Sequence, residues 1–116
     1  MIAALLLGAV APSPVMVPPP DQIYWLCTAF KTSEPVADNQ FFIGPVVRTD
    51  VADQWTRDDV RRKFAATLEN DDYKFDRTDC SRYADQENAN ASRAEKIELW
   101  TKDGETVVHY IDFNLD

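Results

Sequence analysis

The stretch Ile23-Tyr24-Trp25-Leu26-Cys27-Thr28-Ala29-Phe30 decides how the chain is read. It is rich in β-branched and aromatic residues, and its apolar side chains fall on both alternating faces, the pattern of a central strand. It also carries one of the two cysteines of the chain. Pairing with the other, Cys80, would turn everything between them into one covalent loop. In the chain-entropy model, closing a loop of that length stabilises a fold by about 4 kcal/mol, a large share of the stability of a small domain. With no odd cysteine left over and an export-like amino terminus, the sequence predicts a Cys27–Cys80 disulfide made outside the reducing cytosol.

Working outward from this strand, the amino-terminal side contains no charged residue in its first twenty positions. Residues 1–11 are read as an export signal: Met1 to Val10 is an uncharged apolar block of the length of a signal h-region, followed by Ala11. It is too short to span a bilayer, which takes about twenty apolar residues in a helix, and the prolines that follow stop any helix before that. Residues 12–20, with Pro12, Pro14, Pro18, Pro19 and Pro20, form a linker in extended polyproline geometry. Residues 21–116 are then a single globular domain with no stable membrane span in the mature form. These features predict a periplasmic or secreted bacterial location.

On the carboxyl-terminal side, Lys31 to Asn39 is polar, contains Pro35 and reads as a loop. Phe41, Phe42, Ile43, Val46 and Val47 make a second strand interrupted by Gly44 and Pro45. Because proline cannot donate a ladder hydrogen bond, that strand should sit at an edge or carry a bulge. Thr56 is placed to cap a helix that begins Arg57, Asp58, Asp59, with a capping box to Asp59 and a hydrophobic staple between Trp55 and Val60. Val60, Phe64 and Leu68 recur at helical spacing, and the helix should end near Asn70. The basic run Arg57, Arg61, Arg62 and Lys63 is the solvated face of this helix, neutralised by Asp58 and Asp59.

The segment from Asn70 to Asp79 is acidic but lacks the turn glycine and terminal glutamate of a calcium loop, so it reads as a solvated connector. A second helix, capped by Asp79 or Ser81 and running to about Ala94, would present Tyr83, Ala84, Ala91 and Ala94 inward. The chain would finish as a hairpin of Lys96 to Thr101 and Thr106 to Phe113 around Gly104. A two-residue turn pairs Leu99 with Val108 and leaves Glu98 opposite His109. A bulged turn shifts the register and places Val107, His109, Ile111 and Phe113 on the face shared with Ile97 and Leu99, burying more apolar surface and therefore favoured. The fold class is thus α+β: a small antiparallel sheet of about four strands with two helices packed on one face, in the order β-β-α-α-β-β, and one disulfide.

The Tyr24, Trp25, Leu26, Cys27 opening, the aromatic second strand, the helix with Phe64 and Leu68, Tyr73, and Cys80 before an Ala-rich charged helix resemble a loose family of short exported bacterial proteins of unknown function with two cysteines. The resemblance covers about Ile23 to Ala94. It implies export and a disulfide, and brings no activity, substrate or catalytic residue.

Acidic residues outnumber basic ones 20 to 12, for a net charge of −8. That disfavours nucleic acid, whose phosphates are bound by clustered Lys and Arg. Two distant cysteines and one histidine lack the close ligand pairs of a zinc site, and no Cys-x-x-Cys supports thiol redox chemistry. No cofactor motif, metal motif or catalytic constellation is present. The function expected is a small non-catalytic binding module of the bacterial cell envelope, with Trp100, His109 and Tyr110 as the candidate surface site. Its partner would be a protein or peptide with a basic surface. The alternatives are a small hydrolase using His109 as base, oriented by Glu98 or approached by Asp112, and an inhibitor of a secreted enzyme.

Overall fold

The computed structural model describes residues 21–32 and 39–115, so the predicted signal, the linker and most of the Lys31 to Asn39 loop lie outside the described residues. Strand β1 (Gln22–Lys31) is central, as its two-faced apolar pattern requires. One of its edges takes β4 (Arg77–Tyr83), antiparallel from Tyr24 opposite Tyr83 to Phe30 opposite Arg77. The other edge is shared by β2 (Gln40–Ile43) along the second half of β1 and β3 (Val47–Asp50) along the first half. Strand β5 (Val107–Tyr110) then joins β2 in parallel, making a mixed five-stranded sheet.

The interruption expected at Gly44 and Pro45 is a bulge. Thr28 lies opposite Ile43 and Trp25 opposite Val47, so Leu26 and Cys27 face three residues, Gly44, Pro45 and Val46. Both sides of the molecule hold this kink. The Gly44 amide donates to the Cys27 carbonyl at 3.0 Å, and the Gly44 carbonyl accepts from Arg93 Nε at 2.8 Å. A Cβ on Gly44 would sit 3.1 Å from Cε1 of Phe64, a ring that is itself fully buried and in edge contact with Phe113. Glycine is needed here for close approach.

The two helices cover opposite faces of the sheet, not one face as the sequence suggested. Helix α1 (Arg57–Asn70) has the Thr56 capping box with Asp59 and buries Val60, Phe64 and Leu68. It packs over Ile23, Trp25, Cys27, Ala29 and Phe42, with Trp55 in the same cluster. Helix α2 (Gln86–Lys102) lies over Leu26, Phe41 and Ile43, with Ile97 and Trp100 packed onto them. Since β1 presents apolar residues on both sides, each side needs its own cover to remove that surface from water. On α1, Arg61 pairs with Asp58 and Arg62 with Asp59, both pairs solvated.

The order is β-β-β-α-β-α-β, and three expectations fall with it. Cys80 does not precede a helix; it lies in β4, directly opposite Cys27, with the two Cα atoms 4.1 Å apart and the disulfide formed. Helix α2 begins later and ends later than predicted. Its cap is Asp85, whose carboxylate accepts from the Asn88 amide at 2.7 Å, while Asp79 and Ser81 are strand residues. Lys96 to Thr101 is helical and there is no terminal hairpin. Ala89, Arg93, Ile97 and Trp100 recur at intervals of four, four and three, a helical face that outweighs the short alternation of Ile97 and Leu99. Leu99 is left largely exposed.

Gly104 does adopt positive φ, but as the residue that ends α2, its amide donating to the Thr101 carbonyl at 3.3 Å. The Asp103 carboxylate then fixes the reversal, accepting from the amides of Glu105 and Thr106 and from the Thr106 hydroxyl. Neither hairpin register therefore exists. Ile111 and Phe113 are buried on the α1 side, on the opposite side of the sheet from Ile97. The acidic connector is less solvated than expected, because Tyr73 and Phe75 pack against the α1 cluster and Asp76 accepts from the Thr32 amide at 2.7 Å.

Replacing both cysteines by alanine should lower stability by about 4 kcal/mol, read as a fall in the urea midpoint against the oxidised chain. Gly44→Ala should cost about 1–3 kcal/mol through overpacking against Phe64. Phe64→Leu should recover part of that loss in a double-mutant cycle, and strict additivity of the two changes would rule the contact out.

Candidate binding surface

On the α2 face the strand registers line up side chains in rows across the sheet. Arg77, Phe30, Phe41 and Val108 form one row across β4, β1, β2 and β5. Asp79, Thr28, Ile43 and Tyr110 form the next. Trp100, carried by the last turns of α2, settles on the first row. Its ring lies 4.8 Å from Phe30, tilted by 40°, and 5.4 Å from Phe41, stacked at 26°. Such offset aromatic contacts contribute about 0.5–1.5 kcal/mol beyond burial.

Helix α2 does not reach across the beginning of β4, and the uncovered sheet there forms a hollow of about 310 Å³. Phe30 and Phe41 are its floor and Trp100 its wall. Arg77 and Asp79 from β4 and Lys96 from α2 make its rim, beside Leu99, which is 62% exposed. A second, shallower hollow of about 420 Å³ flanks the same helix between Ile97, Thr101 and Tyr110. Tyr110 is also 62% exposed, and the Arg93 guanidinium lies 6.0 Å from its ring centre.

Of the three residues singled out from the sequence, the structure brings two to this face. Trp100 and Tyr110 flank the carboxyl-terminal half of α2, whereas His109 lies on the α1 side. Neighbours along a strand point to opposite faces, so His109 and Tyr110 cannot share one. The imidazole stacks on Phe42 at 4.8 Å and 13°, lies 5.0 Å from Tyr73, and makes a 2.9 Å hydrogen bond through Nε2 with Gln40 Oε1. Glu98, on α2, is across the sheet from it, so the orienting pair that a hairpin would have offered is not formed. Half-burial among these rings pushes the His109 pKa below its ordinary 6.5.

Phe30, Phe41, Arg77, Asp79 and Lys96 escaped the sequence analysis as site residues. Phe30 and Phe41 were visible as strand aromatics, but their facing each other depends on register. Arg77 and Asp79 sit in a segment that reads as connector. Among the described residues no group of three or more His, Cys, Asp or Glu side chains is arranged to hold a metal ion, and no helix is long and apolar enough to cross a membrane.

Because the chain has a single histidine, its ring titration is unambiguous in an NMR pH series. The midpoint should fall below 6.5 in the folded chain and rise towards 6.5 in urea. The unfolded chain then binds the proton first, so the contribution of this neutral ring to stability is full above pH 6.5 and declines as the pH falls through the folded-state value. A folded-state midpoint above 6.5 would reverse that sign. No protein-family model, curated protein or solved structure shows a significant match to the chain, so its surface stands on its own geometry.

Proposed function

We propose that this chain is a small exported binding module of the bacterial cell envelope that recognises its partner through the α2–β5 face and carries out no chemistry. The observation that carries the reading is the exposed apolar surface around the end of α2. Leu99, 62% exposed, and the half-buried Trp100 line the first hollow, and Tyr110, also 62% exposed, lines the second along the same helix. Large exposed apolar side chains clustered along one helix of a small domain mark an interaction surface more often than isolated ones do. Aromatic anchors of this kind dominate binding energetics because they remove much area from water and lose little conformational freedom.

The disulfide supports an oxidising compartment. Cys27 and Cys80 are both buried and join the two most extensively paired strands, and bonds of that kind persist in oxidising surroundings. The net charge of −8 favours a partner with a basic surface, chiefly through rate and specificity.

The test is capture from envelope extract on the immobilised, oxidised chain at low salt, compared with Trp100→Ala, Tyr110→Ala and His109→Phe. Capture should drop at least about tenfold in the first two if they are the anchors, since truncating a hot-spot aromatic costs about 2 kcal/mol or more. It should persist in the third, whose change lies across the sheet. Recovery of nothing by the wild type, or equal capture by all three variants, would refute the reading.

A further inference from the structure

The hollow beside Trp100 has a chemistry of its own. We propose that it binds a single carboxylate carried next to a flat aromatic group, either as a free aryl acid or as the C-terminal aromatic residue of a peptide. This rests on the reading of the surface around the end of α2 as the recognition surface, and adds the chemical class taken by its β4-side hollow, a locally cationic spot on an otherwise acidic chain.

The aromatic group is received by the cleft that Phe30, Phe41 and Trp100 line. Phe30 and Phe41 are register partners across β1 and β2, and the indole packs on both rings, at 40° to one and 26° to the other. Phe30 and Trp100 are only partly buried, and their accessible ring surface at the hollow is suited to another flat π system, which prefers offset or edge contact with such rings. The volume of about 310 Å³ is at the lower end for ligand pockets and takes a one- or two-ring body.

The carboxylate is received by the rim. Arg77 lies directly across the strands from Phe30, and Lys96 approaches from α2. Neither belongs to an ion pair among the described residues; the ion pairs found there, Arg61–Asp58 and Arg62–Asp59, are both on α1. What distinguishes the rim is that two cations meet over an aromatic floor, on a chain of net charge −8 where an anion is repelled over most of the surface. The guanidinium fork matches a carboxylate in two parallel hydrogen bonds. Asp79, two residues along on the same face of β4, leaves the rim at a net single positive charge. That balance suits one negative charge and works against a dianionic phosphate ester, which would meet the Asp79 carboxylate.

The test uses the full, oxidised chain at low ionic strength in NMR titrations with four probes. These are 3-phenylpropionate, its neutral amide, and a short acetylated peptide ending in Phe with either a free or an amidated C-terminus. At least one acid should bind about fivefold or more tightly than its own amide, with shifts centred on the Trp100 indole N–H and the amides of Phe30 and Arg77. The tighter of the two acids identifies the source of the carboxylate. In Arg77→Gln/Lys96→Gln, whose folding is checked by its melting temperature, acid and amide should bind alike.

Equal binding of acid and amide in both series, an acid preference that survives in the double variant, or no saturable shift at the hollow would each overturn the proposal. Absence of probe binding together with Trp100-dependent capture from extract removes the ligand class alone. Absence of both removes the recognition surface as well.

Discussion

Strand β1 is buried on both faces and paired along both edges, and the rest of the molecule is arranged around that condition. A strand with Trp25 and Cys27 on one side and Leu26 and Phe30 on the other has apolar side chains to remove from water on both faces, so one helix cannot complete the domain. The backbone adds a second demand, because every amide and carbonyl withdrawn from solvent needs a partner. Strand β4 satisfies one edge. On the other, β2 and β3 divide the length between them, and the bulge at Gly44 lets a single extended segment serve both halves. The Phe64 ring resting on Gly44 from α1 and the Arg93 guanidinium holding its carbonyl from α2 couple the two helical layers through one residue of the sheet.

What could be read in advance was whatever depends on neighbours in the chain. The cap at Thr56, the spacing of Val60, Phe64 and Leu68, and the end of α1 at Asn70 are all set within a few residues and are found where expected. The cysteine pair was legible for a different reason: a chain with two cysteines offers one intrachain pairing. Strand β4 was not legible, because in Arg77–Tyr83 only Cys80 is buried, and the segment is a strand by virtue of its hydrogen bonds to β1. The end of α2 was misread because Ile97 and Leu99 mimic alternation over five residues. The helical spacing that governs them includes Arg93, a charged residue on the inward face whose reason for being there is a carbonyl 49 positions away. The candidate site was half legible. Trp100 and Tyr110 were available as aromatics, but the cations around the hollow are assembled from two elements by register, which no local pattern encodes.

Several of the acidic residues behind the negative charge have structural duties. Asp59 caps α1, Asp76 receives the amide and hydroxyl of Thr32, and Asp103 holds the turn into β5. These hydrogen bonds hold all three carboxyls below their usual 3.8, those to Thr56, Thr32 and Glu105 contributing most in turn. Their stabilising effect is complete above pH 3.8 and is lost as the pH falls through the lower folded-state values. Charge also guards the sheet: Arg77, Asp79 and Arg82 line β4 at its open edge, where a bare apolar strand would invite pairing with another chain.

The topology also fixes an order of assembly. Strand β1 precedes all its partners in the chain, and β2 and β3 follow closely enough to close an antiparallel unit through short-range encounters. Strand β4 arrives after α1, and β5 must wait for α2 before it can lie parallel to β2. Contacts of such long sequence separation are slow to form, because loop entropy is lost before any packing is gained. During that interval one edge of β1 and the apolar faces later covered by the helices are open to other molecules. For a chain of this layout, the hazardous period is thus the wait of its first strand for its last neighbours, and a binding factor that shields that strand would raise the yield of native protein.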